Sequence, residues 1–287
     1  MFNFATVKAL ELISALQPMY GRGEATAIVR MVMEERFGLT HTDLLLGRDE
    51  ALPLEAHKAL DAMATRLIAG EPVQYVLGYA EFCGRRFSVG PGVLIPRHET
   101  EEVVRWALRQ LCAGRILDLG TGCGCIAITA ALECAGARVT GVDISADALA
   151  VAAANGVRLG ANVRWVKADM LDVEALMQAV GGPYDLVVSN PPYVRRSEAH
   201  EMHANVLEHE PHGALFVPDD DALRYYRAIA EVATSVLAPS GNVVVELNSA
   251  LAQQTADVFA AAGLTNIELR RDQYERWRML RANSTDY

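Results

Sequence analysis

Four consecutive residues, Asn190-Pro191-Pro192-Tyr193, carry the densest chemistry in the chain, and they follow the apolar run 184–189. An Asn amide offers a carbonyl acceptor and an NH2 donor. Proline has no backbone donor and a fixed φ, so the two prolines hold bare carbonyls in a rigid turn. A small nest of oxygen acceptors beside an aromatic ring, at the end of a strand, suits a planar NH2 group. That group is the amide of a side chain or the exocyclic amine of a base. Asn190, Pro191, Pro192 and Tyr193 are therefore candidate ligand-binding residues, and what they bind depends on what lies upstream.

A second cluster lies upstream. Residues 116–124, Ile-Leu-Asp-Leu-Gly-Thr-Gly-Cys-Gly, read as a strand, a glycine-rich turn and the start of a helix. Glycines permit a tight turn and close approach of a ligand, and a helix start presents free N–H groups. Asp143 closes the next strand about twenty residues on, where a carboxylate takes both hydroxyls of a ribose. Asp169 ends the third strand and Asn190 the fourth, so all four features fall at the carboxyl edge where open α/β sheets bind ligands. The candidate cofactor residues on this pattern are Asp118, Gly120, Gly122, Gly124, Asp143, Asp169 and Asn190.

Two cofactor classes use a glycine turn with a ribose acid. A dinucleotide site carries G-x-G-x-x-G, whereas this chain reads Gly120-x-Gly122-x-Gly124 followed by Cys125 and Ile126. Asp118, ahead of the glycines, is expected to face a cationic ligand and to repel a pyrophosphate. The pattern thus favours S-adenosylmethionine, with its amino group and sulfonium, over a nicotinamide cofactor.

These residues need a scaffold. After Gly114, β-rich runs at 115–119, 138–144, 163–168, 184–189 and 242–247 alternate with helical stretches such as 126–132 and 146–154. Such alternation predicts a doubly wound, mostly parallel sheet of Rossmann-like type. Two last runs, 266–271 and 276–282, are too close for a crossover helix and predict an antiparallel hairpin at the sheet edge. Residues 81–89 read as another short hairpin. Pro96-Arg97-His98-Glu99-Thr100-Glu101 opens a helix with acids in its first turn. Upstream, apolar residues at helical spacing from Phe4 to Ala69, with breaks at 18–23 and 38–53, predict a small helical bundle.

At 287 residues, about half of them apolar, the chain is long enough for a large and a small domain. A net charge of −10 argues against a broad nucleic-acid surface, since phosphate affinity rests on cations. Five cysteines without a secreted-framework spacing read as reduced core thiols, and no metal site is expected. No signal peptide or membrane span is predicted, so the expectation is a cytoplasmic monomer. The histidines at 200, 203, 209 and 212 mark a long Glu-rich loop, read as a lid over the cleft.

With those residues in place the chain resembles the class I S-adenosylmethionine methyltransferases, and more narrowly the HemK/PrmC family. The resemblance is carried by Glu81-Phe82-x-Gly84, Val93-Leu94-Ile95-Pro96-Arg97-x-Glu99-Thr100-Glu101, the glycine turn, Asn190-Pro191-Pro192-Tyr193 and Glu210-Pro211-x-x-Ala214-Leu215. It implies methylation of the side-chain amide nitrogen of the glutamine in the Gly-Gly-Gln motif of peptide-chain release factors. It also implies a helical substrate-docking domain at 1–72, a β-hairpin linker at 73–96 and a methyltransferase domain at 97–287. By the same resemblance Asn190, Pro191, Pro192 and Tyr193 are the substrate-binding residues and Asn190, Pro191 and Tyr193 the catalytic ones: Asn190 and the Pro191 carbonyl would hold the glutamine amide and Tyr193 would shape the pocket. The resemblance adds Thr121, Cys123 and Met170 to the cofactor residues, and Met170 departs from the family, which often has an aromatic after the third-strand Asp to pack on adenine. The alternatives are a ribosomal-protein glutamine or adenine N6 as methyl acceptor and, in other classes, a nicotinamide-dependent reductase or a non-catalytic binding module.

Overall fold

The computed structural model describes residues 7–109, 111 and 113–284. They form two compact units, one taking the chain up to Tyr79 together with His203–His209, the other Ala80–Met202 and Glu210 onward. The hairpin expected between the domains is counted with the second unit. Phe4 lies outside the described residues.

The first unit is helical. Helix α1 (Ala9–Phe37) is followed by α2 (His41–Leu45), α3 (Leu54–Ile68) and α4 (Val73–Leu77). Turn formers at 18–23 kink α1 rather than end it: Gly21 alone has non-helical angles, with φ 72°. Its free N-terminal amides find distant carboxylates, Val7 N donating to Asp61 (2.9 Å) and Ala9 N to the buried Asp49 (3.0 Å). Leu12, Leu16, Val29, Val32, Met33, Leu60 and Leu67 are buried together as its core.

The second unit opens with hairpin β1 (Tyr79–Phe82) and β2 (Arg85–Ser88), then α5 (His98–Leu108). Parallel strands β3 (Arg115–Leu119), β4 (Arg138–Asp143), β5 (Val163–Lys167) and β6 (Tyr184–Ser189) follow, separated by α6 (Cys125–Glu133), α7 (Ala146–Leu159) and α8 (Val173–Val180). Short strands β7 (Val194–Arg195) and β8 (Phe216–Val217) pair with each other, and α9 (Ala204–His209), between them in sequence, is counted with the first unit. Helix α10 (Arg224–Val236), β9 (Leu237–Glu246), α11 (Ala252–Ala261), β10 (Thr265–Arg271) and β11 (Trp277–Asn283) complete the unit. The seven-stranded sheet runs β10-β11-β9-β6-β3-β4-β5, and β11 is antiparallel to both its neighbours. This is the doubly wound, mostly parallel sheet with an antiparallel edge hairpin that the alternation of runs predicts.

One strand boundary differs by several residues. Strand β9 begins five residues before the expected 242–247, because Pro239, Ser240 and Gly241 sit inside it at a register shift against β6. A Cβ on Gly241 would lie 2.8 Å from the Ala238 carbonyl and 3.0 Å from that of Tyr184, so only glycine fits this approach. Because β4 and β6 flank β3 on opposite sides, the strand order reverses there. The loops after β3 and β6 therefore open at the topological switch point.

Candidate active site

A cleft with a cavity volume of about 310 Å³ lies at the carboxyl edge of the sheet, lined by Gly120, Gly122, Asp143, Asp169, Met170 and Asn190 among others. Six predicted residues, contributed by the ends of four strands, thus share one cavity of small-ligand size. Pro192 lines it as well, while Asp118, Thr121, Cys123, Gly124, Pro191 and Tyr193 do not.

The glycine turn is built by the backbone. Gly120 and Thr121 donate their N–H groups to the Val142 carbonyl at 2.9 and 2.8 Å. Gly120, Gly122 and Gly124 all adopt positive φ, which side chains rarely tolerate. Asp143 accepts from Gly122 N on one carboxylate oxygen and from Ser145 N on the other, each at 2.9 Å. Both oxygens keep a lone pair for a ligand hydroxyl.

Asp118 corrects the expectation. It is fully buried beneath the turn instead of facing the cleft, and accepts from Thr121 Oγ1 (2.6 Å) and from Ala127 N in the first turn of α6 (3.1 Å). Its other oxygen has no hydrogen-bond partner. Burial pushes its carboxyl up to about 7, against the pull of the Thr121 and Ala127 bonds. The reason lies in the turn itself: the first amides of α6 need an acceptor, and the strand end directly below supplies one. Thr121 spends its hydroxyl on the same carboxylate. Asn155, fully buried on α7, donates to the carbonyls of Cys123 and Ser88 (both 3.0 Å) and accepts from Ser88 N (2.8 Å), tying hairpin β1–β2 to the turn.

The apolar part of the cleft is only partly legible in the sequence. Met170 leans over Gly120, its methyl 3.1 Å from where a Cβ would stand. Ile144, Ala148 and Tyr225 line the same cavity. Tyr225, half-buried on α10, supplies an aromatic ring that the position after Asp169 lacks, and burial raises its phenol. No motif pointed to it, since it lies in an ordinary amphipathic helix. Family-like stretches did mark two further walls, Val93 and Leu94 on one and Pro211 and Ala214 on the other. Buried Glu210 clamps them, accepting from Ile95 N (3.0 Å) and from Arg97 Nη2 (2.6 Å). Of the histidine loop, His209 contacts the Ala69 carbonyl and His212 stacks edge-on against Phe216. Among the described residues no group of three or more His, Cys, Asp or Glu is placed to hold a metal.

At the other end of the cleft the chemistry is made by side chains. Asn190 Nδ2 donates to Thr100 Oγ1 (3.0 Å), which donates to Glu246 Oε2 (2.6 Å). Tyr193 OH donates to Glu246 Oε1 (2.8 Å) and receives Arg278 Nη1 (3.4 Å). Arg278 in turn meets the buried Asp272 at 3.3 Å. Burial raises the Glu246 carboxyl, with the Thr100 and Tyr193 bonds and the Arg278 charge pulling it back part of the way. Asn190 thus stands at the rim of a buried network drawn from α5, β9, β11 and the turn after β6.

The Methyltransferase small domain model matches residues 82–237, and the PrmC N-terminal domain model matches residues 9–78. The chain is 40% identical over 270 residues to the release factor glutamine methyltransferase of Bacteroides thetaiotaomicron, spanning 94% of this chain and 96% of that one. It is 37% identical over 279 residues to that of Flavobacterium psychrophilum, at 95% and 96%. A methyltransferase crystal structure from Pyrococcus furiosus, 17% identical, superposes with a TM-score of 0.53 over 78% of this chain and 99% of that one, a likeness of fold. Motifs, sheet topology and relatives spanning nearly the whole length converge: the chain belongs to the release factor glutamine methyltransferase family.

Proposed function

We propose that this protein transfers a methyl group from S-adenosylmethionine to the side-chain amide nitrogen of the glutamine in the Gly-Gly-Gln motif of a peptide-chain release factor. The observation that carries the reading is Asn190, held by Thr100 at the end of a cleft whose other end is a glycine turn with a ribose-type acid. The cleft fits the cofactor by its donor set. Asp143 would take the ribose hydroxyls, Met170, Ile144 and Tyr225 would pack on the base, and Gly120 and Gly122 would let the amino-acid end lie against the backbone. When bound, the cofactor supplies a methyl group on a positively charged sulfur.

The protein's own task is the acceptor. An amide nitrogen is a poor nucleophile because its lone pair is shared with the carbonyl. Asn190 Oδ1 and the Pro191 carbonyl would each accept one amide hydrogen. That pins the nitrogen in the plane needed for attack and opposes the positive charge that grows on it. Pro192 and Tyr193 would set the pocket's shape. This role needs neither a covalent intermediate nor a metal.

We assign the helical unit to docking of the release factor. Its exposed Leu45 and Leu46 give a partner an apolar foothold. The cytoplasm is where a release factor would be met. Incubation with S-adenosylmethionine and an unmethylated release factor, read by peptide mass spectrometry, tests the reading. One added methyl on the Gly-Gly-Gln glutamine is expected. An unmodified glutamine, with cofactor binding intact by calorimetry, would retire this substrate.

A further inference from the structure

We infer that Thr100, held by Glu246, is a positioning residue that decides which end of the Asn190 amide meets the substrate. The inference rests on the reading of Asn190 as the group that grips the glutamine amide.

A hydroxyl has a single proton. Thr100 Oγ1 lies 2.6 Å from Glu246 Oε2, and an ionised carboxylate only accepts, so the proton is committed there. The same oxygen must then accept from its other neighbour, Asn190, 3.0 Å away. The Asn190 NH2 is thereby tied to Thr100, and its carbonyl is left as the end that serves the cleft. Rotating the amide by half a turn would set Asn190 Oδ1 against a Thr100 oxygen with no proton to give. It would also present an NH2 to a substrate NH2, two donors face to face. Thr100 and Glu246 are 2% and 1% exposed, so the bond between them is shielded from water.

The relay has a definite protonation requirement. Glu246 faces Thr100 from α5, Tyr193 from the turn after β6 and Arg278 from β11, with the charge of Glu99 also acting on it. Tyr226 from α10 donates to its backbone carbonyl. Both side-chain oxygens of Glu246 accept from hydroxyls, an arrangement that requires the ionised form. Protonation turns one oxygen into a donor. If that is the oxygen facing Thr100, the hydroxyl reverses and the Asn190 amide follows. Because burial lifts the Glu246 carboxyl, this reversal falls closer to neutrality than for an ordinary glutamate.

The test measures kcat against pH for wild type, Thr100→Val, Thr100→Ser, Glu246→Gln and the Thr100→Val/Glu246→Gln pair. Calorimetry of S-adenosylmethionine binding and mass spectrometry of the product accompany it. Thr100→Val, of similar shape but without the hydroxyl, is expected to lower kcat about a hundredfold with cofactor affinity within about twofold. Thr100→Ser restores most of that loss. Wild type loses kcat on the acid side, and Glu246→Gln removes that limb because it has nothing to titrate. In the pair, Glu246→Gln adds no loss beyond that of Thr100→Val, since both act on one amide. Wild-type kcat in Thr100→Val, or an acid limb that survives in Glu246→Gln, overturns the inference. If Glu246→Gln does not fold, the Val and Ser variants still decide it. A wild-type protein that leaves the glutamine unmethylated overturns the proposed function instead, and the two failures are distinct.

Discussion

The two ends of the cleft are built by different means. At the glycine turn, orientation is set by main-chain groups, with Gly120 and Thr121 amides on the Val142 carbonyl and the Gly122 amide on Asp143. At Asn190 it is set by side chains from elements far apart in sequence, Thr100, Glu246 and Arg278. At a main-chain site φ and ψ fix the donors, so sensitivity is confined to the few side chains that hold the turn, here Asp143 and Asn155. A side-chain site fails at any one member, because a buried polar group left without its partner is costly.

This contrast can be broken by substitution. The largest expected effect is at Asn190. Asn190→Ala should lower turnover by about two to three orders of magnitude, as loss of a preorganised transition-state contact does, with the cofactor dissociation constant nearly unchanged. Parallel losses in kinetics and calorimetry would place Asn190 in cofactor binding instead. Next comes Asp143→Ala, expected to raise the cofactor dissociation constant by about tenfold to a hundredfold, the worth of hydrogen bonds to a charged group. An unchanged constant in calorimetry would remove the ribose assignment.

A third test concerns stability at the main-chain end. Asp118 has a carboxyl raised from 3.8 to about 7, so the folded protein holds its proton more tightly than the unfolded chain. The resulting stabilisation is complete below about pH 4 and is lost as pH rises through about 7. Wild-type unfolding free energy should fall by on the order of a few kcal/mol across that window. Asp118→Asn should flatten this part of the profile in denaturant titrations, and an equally steep variant curve would show that another group is responsible. The smallest effect is expected at Met170→Ala, about a threefold weakening of cofactor binding with kcat preserved, since a flexible apolar side chain contributes packing alone.

Legibility in the sequence follows the same division. The glycine turn, Asp143, Asp169 and Asn190 could be read because each sits at the end of an apolar run, where chain order reports position along the sheet edge. The sheet itself was legible for the same reason, including the antiparallel hairpin forced by the short gap between its last two runs. Asp118 was misplaced because strand periodicity does not tell which neighbour claims a buried carboxylate. Thr100 lies inside the Pro-Arg-x-Glu-Thr-Glu stretch, and nothing in that stretch marks its bond to Glu246. Glu246 and Tyr225 have no local mark: Thr100, the partner of Glu246, lies 146 residues away, and Tyr225 sits in an ordinary amphipathic helix. Contacts between distant segments are tertiary facts, and periodicity holds only local ones.

Asn155 changes what counts as the smallest working piece of this enzyme. Its amide is satisfied at Ser88 on one side and at Cys123 on the other. A fragment cut at the start of α5 would keep every strand of the large sheet and still lack Ser88. The buried amide would lose two of those bonds, and the nucleotide loop would lose its outer brace. The hairpin is therefore an organ of the catalytic half, and a fragment meant to retain ligand binding has to begin upstream of it.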